Sequence, residues 1–156
     1  VDAVLAAVEA SGLATALRFS RWGYAAVNTA HVLGVALLVG AAVPLALRLL
    51  GLWRGVPLAG VAAILSPMAA AGLTLAILTG LLLFATRATE YGGMPLLWLK
   101  LALIATGAVS ATAAHLAWGW RLERAPPGRR VPTGGISIAA WLCALTAGRL
   151  IAFVAG

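Results

Sequence analysis

Apolar residues in this chain run in long blocks instead of alternating with a short period, and polar positions fall mainly between the blocks. Four blocks, Trp22–Leu47, Ile64–Thr86, Leu96–Trp120 and Gly135–Ala155, meet the roughly 20 apolar residues needed to cross a hydrocarbon layer of about 30 Å. The second lies in a longer uncharged segment from Gly55 to Thr86, where Pro57 and Ser66-Pro67 mark the early part as a loop or short interfacial helix. Its span is therefore expected from about residue 64. A backbone in lipid must satisfy its own hydrogen bonds, and the strand-length alternation of a barrel is absent. The fold class expected is all-α: an integral membrane four-helix bundle forming a single domain over residues 1–156.

Residues 2–19 follow another pattern. Val4, Leu5, Val8, Leu13 and Leu17, interspersed with Asp2, Glu9 and Arg18, predict an N-terminal amphipathic helix lying at the interface before Ser20 opens the first span, with Ser11-Gly12 as a break. Arg121-Leu-Glu-Arg-Ala-Pro-Pro-Gly-Arg-Arg-Val-Pro-Thr-Gly-Gly reads as a polar loop between the third and fourth spans. No internal repeat of the kind that builds secondary transporters is seen.

Composition agrees: 63% of residues are hydrophobic and 10% charged, with a mean hydropathy of +1.03, outside the range of water-soluble domains. Eleven Lys and Arg against four Asp and Glu give a net charge of +7, but the cations punctuate apolar blocks instead of forming a nucleic-acid-binding patch. They are a topology signal. Arg48, Arg54, Arg121, Arg124, Arg129 and Arg130 share one face; Arg18, Arg21 and Arg87, with Lys100 and Arg149 nearby, belong to the other. The six-arginine face is expected to be cytoplasmic and both termini periplasmic, in a bacterial inner membrane. Asp2 and Glu9 stand where a cleavable signal would be basic, so the first span is expected to direct insertion itself. The single cysteine, Cys143, excludes an intrachain disulfide and a Cys-cluster zinc site.

Chemistry is sought in the few polar residues inside the blocks. Both histidines lie there. His31 has Asn28 at i−3 and Gly34 at i+3, and Ala30 with Gly34 forms a small-xxx-small pair, so this face can approach another helix or a flat cofactor. His115 is surrounded by Ala108, Ala111, Thr112 and Gly119. A histidine on a small-residue face inside an apolar bundle can hold haem through its imidazole; it can equally serve as a hydrogen-bonding link between helices. Counted from the span ends, the two histidines differ in depth by roughly 15 Å, which argues against one haem shared between them. Met68 and Cys143 fall at the depth of His115, making a His/Met or five-coordinate site conceivable there, with Met68 alternatively core filler. Thr79, Thr146, Arg149 and Lys100 fall near His31; the two cations can pair with haem propionates, a quinone oxygen or anionic headgroups. Trp22, Tyr24, Trp53, Tyr91, Trp98, Trp118 and Trp120 read as belt residues at span ends. Glu90 lacks the second carboxylate that acid–base chemistry needs. Gly51 to Gly55 matches GxxxG only at a span end.

The run Arg18-Phe-Ser-Arg-Trp-Gly-Tyr-Ala-Ala-Val-Asn-Thr-Ala-His31-Val-Leu-Gly, with Leu47-Arg48-Leu-Leu-Gly51, Lys100, His115 and Ala147-Gly148-Arg149, resembles a family of small bacterial four-helix membrane proteins of uncharacterised function. That family carries proline and aspartate where this chain has Ala25 and Ala46. At the level of fold, paired histidines in such a bundle are similar to membrane cytochromes b and to the copper-resistance membrane proteins grouped with them. The function expected is that of a cytochrome-like protein binding haem b through His31, His115 or both and passing electrons to a quinone or a redox partner subunit, possible as a homo-oligomer. A cofactor-free accessory or assembly subunit is the alternative, and a small transporter a third reading.

Overall fold

The computed structural model describes residues 2–154 of the 156-residue chain. Seven helices occur among them and no strand: α1 (Asp2–Glu9), α2 (Gly12–Phe19), α3 (Arg21–Leu49), α4 (Leu58–Thr86), α5 (Ala88–Gly92), α6 (Pro95–Trp118) and α7 (Pro127–Val154). Helices α3, α4, α6 and α7 are each long and apolar enough to cross a membrane. Ser20 starts α3 as expected, its hydroxyl accepting from the Gly23 amide at 3.1 Å. The expected amphipathic segment is helical and divides at Ser11-Gly12 into α1 and α2.

Two boundaries differ from the expectation, and both differences involve proline. Helix α4 begins at Leu58 and runs through Pro67, and α7 begins at Pro127 and runs through Pro132. A proline frees one carbonyl and removes one donor, which stops many helices in water but is tolerated where neighbouring helices and a low-dielectric surround hold the remaining ladder. The segment 58–63 is thus part of the second long helix. The polar loop contracts to the stretch between Trp118 and Pro127. Gly51–Gly55, which match GxxxG only at a span end, form turns between α3 and α4.

The long helices pack as an open arc. Its close pairings are α3 with α4, α3 with α7 and α6 with α7, so α4 and α6 form the two outer ends and face each other across a gap. The α3–α4 pairing is tight because glycine meets glycine: a Cβ on Gly34 would stand 2.7 Å from the Ala76 amide nitrogen. At the arginine-rich end, Leu45, Leu49, Leu58, Ala62, Ala114, Leu122 and Ala125 form a buried cluster that closes the base of the arc. Arg48 is itself buried there, donating from Nε to the Val56 carbonyl at 2.8 Å and so fastening the α3–α4 turn. At the opposite end α1 and α2 pack against α5 and the end of α4. Glu9 of α1 accepts hydrogen bonds from the Thr89 amide, at 2.9 Å, and from its hydroxyl, at 2.5 Å.

Candidate functional site

The concave side of the arc holds a cavity of about 380 Å³ lined from all four long helices, within the range of small-molecule sites. Each helix contributes one face at helical spacing: Leu38, Ala42 and Leu45 from α3; Ser66, Ala69, Ala70 and Leu73 from α4; Ala108, Ala111, Thr112 and His115 from α6; Thr133, Ser137 and Trp141 from α7. The lining is mostly apolar and contains no Lys, Arg, Asp or Glu. Trp141, 4% exposed, forms the floor; it is seated against Gly107, where a Cβ would come within 2.9 Å of its indole ring.

Two polar atoms at this cavity are buried with no hydrogen-bond partner: Ser66 Oγ and His115 Nδ1. Such atoms are uncommon in folded proteins, because each forfeits the interaction it had with water. His115 lies in the last turn of α6, where its carbonyl accepts from the Gly119 amide at 3.0 Å. Gly119 has φ +84°, the backbone region that only glycine enters freely, and it turns the chain back after α6. Trp120 consequently folds over the His115 ring, with ring centroids 5.0 Å apart and planes inclined by 35°.

His31 is in a different place. It lines neither this cavity nor the hollow between α6 and α7 beside Arg129. Its Nδ1 lies 3.1 Å from Thr79 Oγ1, and that hydroxyl stands 2.6 Å from the Leu75 carbonyl oxygen. A hydroxyl has one proton; with that proton on the Leu75 carbonyl, Thr79 accepts and His31 Nδ1 donates. The neutral imidazole then carries its lone pair on Nε2. Gly80 receives the ring edge, a Cβ there standing 3.1 Å from His31 Cε1. Lys100 is within Coulombic range of His31 and lays its chain across α7 at Gly148, with Nζ 3.2 Å from a Cβ built there. Lys100 precedes His115 on α6 by fifteen residues, or roughly 22 Å of helix. The separation in depth expected for the two histidines is therefore seen in their neighbours.

The other expected site residues do not join either histidine. Asn28 is exposed, because the close α3–α4 seam begins nearer to His31 and Gly34 and leaves the preceding turn outside. Met68 is 41% exposed: it follows Ser66 by two residues, about 200° around the helix, and points away from the cavity. Cys143 is exposed for the same reason relative to Trp141. Arg149 is exposed with its guanidinium 4.9 Å from the centre of the Phe153 ring, a contact within one helix. Thr146 bonds back to the Leu142 carbonyl. No group of three or more His, Cys, Asp or Glu side chains able to hold a metal ion occurs among the described residues.

An axial haem histidine needs an orienting partner for one ring nitrogen and free space at the other. These requirements are divided: His31 has the partner but lies on the closely packed seam, whereas His115 has the space but no partner for Nδ1. The sequence reading did not single out Ser66, which it took with Pro67 only as a mark of an irregular start to the second span, or Trp141, a lone indole amid apolar residues. Comparison with protein-family models, curated proteins and solved structures finds no match.

Proposed function

We propose that this protein is a membrane-embedded binding protein that takes a small, mostly apolar molecule from the bilayer into the cavity between α4 and α6, where His115 meets it. The observation that carries this reading is the cavity with its two unpartnered buried polar atoms, open on the side where α4 and α6 do not pack together. The arginine-rich end faces the cytoplasm of a bacterial cell, both termini lie outside, and α1 and α2 rest at the outer interface.

Haem b with an electron-transfer role is a second reading. Its specific support is the ring of His31, whose Nδ1–H is directed at Thr79 so that Nε2 is the free nitrogen. A haem would supply one-electron chemistry, and His31 or His115 would contribute a single imidazole each. The same His31–Thr79 bond serves equally well as interhelical glue in an accessory subunit. An absorption spectrum of protein produced with haem available, together with solvent extraction and mass spectrometry of bound small molecules, separates these readings. A Soret band lost in His31→Ala or His115→Ala supports haem. A colourless protein that releases a stoichiometric lipophilic molecule, and loses it in Ala111→Phe, supports the binding protein. A colourless protein that carries and takes up nothing leaves the accessory role.

A further inference from the structure

We infer that the cavity is shaped for the oxygenated ring of a quinone or quinol, with the Ser66 hydroxyl and the His115 imidazole turning to hydrogen-bond the ring oxygens and the apolar tail leaving through the gap between α4 and α6. This rests on the cavity being the binding site.

Three features of the lining select that class of molecule. First, it offers no cation and no carboxylate. A fatty acid or a phospholipid headgroup buried there would keep an uncompensated charge, so the occupant is neutral at its buried end. Second, two orphan polar atoms need partners, and both belong to groups that can donate or accept. Both atoms are closed off from the cavity as well as from outside solvent, so each side chain must rotate about its own bonds to meet a ring oxygen. A ring carbonyl accepts from such groups and a ring hydroxyl donates or accepts, whereas a plain hydrocarbon leaves both unpaired. Third, Trp120, stacked on His115, provides aromatic surface beside a wall of Ala, Leu, Ser and Thr, which suits a flat ring. Ordered water alone is a poor filling: at about 30 Å³ per molecule the space would take roughly a dozen waters, and the mainly apolar wall gives few of them the two to four partners that a buried water requires.

The full chain in lipid nanodiscs is titrated with decylubiquinone by calorimetry; partition into lipid is non-saturable and is subtracted using protein-free discs. Decylbenzene, which has the tail and a ring but no ring oxygens, is the comparison, and haemin is titrated in parallel. Saturable binding of decylubiquinone is expected, weakened by about five- to tenfold in Ser66→Ala and in His115→Phe and abolished by Ala111→Phe, with no saturable binding of decylbenzene. Equal binding of decylbenzene and decylubiquinone by the unsubstituted chain overturns the assignment of the ring oxygens without requiring any variant to fold. So does unchanged affinity in both Ser66→Ala and His115→Phe. Haemin binding that Ala111→Phe blocks, with none of decylubiquinone, overturns the quinone assignment while the cavity remains the binding site. Absence of saturable binding by all three probes overturns both.

Discussion

Gly34 of α3 and Gly72 of α4 meet backbone to backbone: a Cβ on Gly72 would stand 2.8 Å from the Gly34 carbonyl oxygen, and one on Gly34 would stand 3.0 Å from the Gly72 carbonyl oxygen. Main chain cannot rotate aside as a flexible side chain can, so an added methyl group must push the helices apart. In lipid, where association depends on close packing, that displacement is costly. Gly34→Ala and Gly72→Ala are each expected to destabilise the bundle by about 1–3 kcal/mol, read from the midpoint of unfolding in mixed detergent–SDS micelles. Gly40→Ala and Gly60→Ala, where a Cβ meets nothing within 4 Å, are expected to leave that midpoint unchanged or raise it.

The His31–Thr79 bond makes a prediction about a proton. Because the Thr79 hydroxyl is committed to the Leu75 carbonyl, His31 is expected to be the Nδ1–H tautomer, visible in the nitrogen chemical shifts of the imidazole. Thr79→Val removes the acceptor and is expected to shift the population toward Nε2–H and to cost about 0.5–1.5 kcal/mol of stability; Thr79→Ser is expected to keep both. An Nε2–H tautomer in the unsubstituted protein would contradict the assignment.

The four long helices were legible because apolar length is a direct consequence of bilayer thickness, and the pairing of His31 with Thr79 was within reach because depth can be counted along helices. What a small-residue face does was not. Gly34 and Ala111 both flank histidines, yet Gly34 is filled by the backbone of α4 while Ala111 faces a cavity. The difference depends on whether another helix closes in, and that is a property of the whole arc. Ser66 lay inside the span expected from about residue 64, but beside Pro67 its hydroxyl read only as a break signal; that its oxygen is an orphan at the cavity depends on what α4 faces, which is again a property of the whole arc.

Glu9 couples the N-terminal hairpin to α5. Arg87, which precedes that helix, gives it no side-chain cap, and the Glu9 carboxylate from α1 supplies the missing acceptor for the Thr89 amide. The hydrogen bond from the Thr89 hydroxyl, then that from its amide, hold the Glu9 pKa below its usual value of 4.5, with Arg18 adding attraction. A carboxyl group with a depressed folded-state pKa contributes stability that is complete above its unfolded value and is lost as pH falls through the folded one. Protection of the Thr89 amide from hydrogen exchange, corrected for intrinsic rate, is therefore expected to be constant from pH 7 to about 5 and to fall below the usual carboxylate pKa. In Glu9→Ala it is expected to be low throughout and independent of pH. Loss of protection on raising the pH would have the wrong sign.

The proposed direction of the arc across the membrane rests on six arginines gathered at one end. Three of them are engaged with carbonyls: Arg48 with Val56, Arg54 with Gly51 and Arg130 with Ala125. Hydrogen bonding leaves the charge on the guanidinium, and an arginine stays protonated in either environment, so all six are expected to oppose translocation to the outer face. Gly128 offers a probe at this end, since a side chain there meets nothing within 4 Å; Thr15, exposed on α2, marks the other. With Cys143 replaced by alanine, a cysteine introduced at Gly128 is expected to react with a membrane-impermeant maleimide only after the cells are opened. One introduced at Thr15 is expected to react in intact cells. The reverse pattern would place the arginine-rich end outside, together with the base of the cavity that His115 lines.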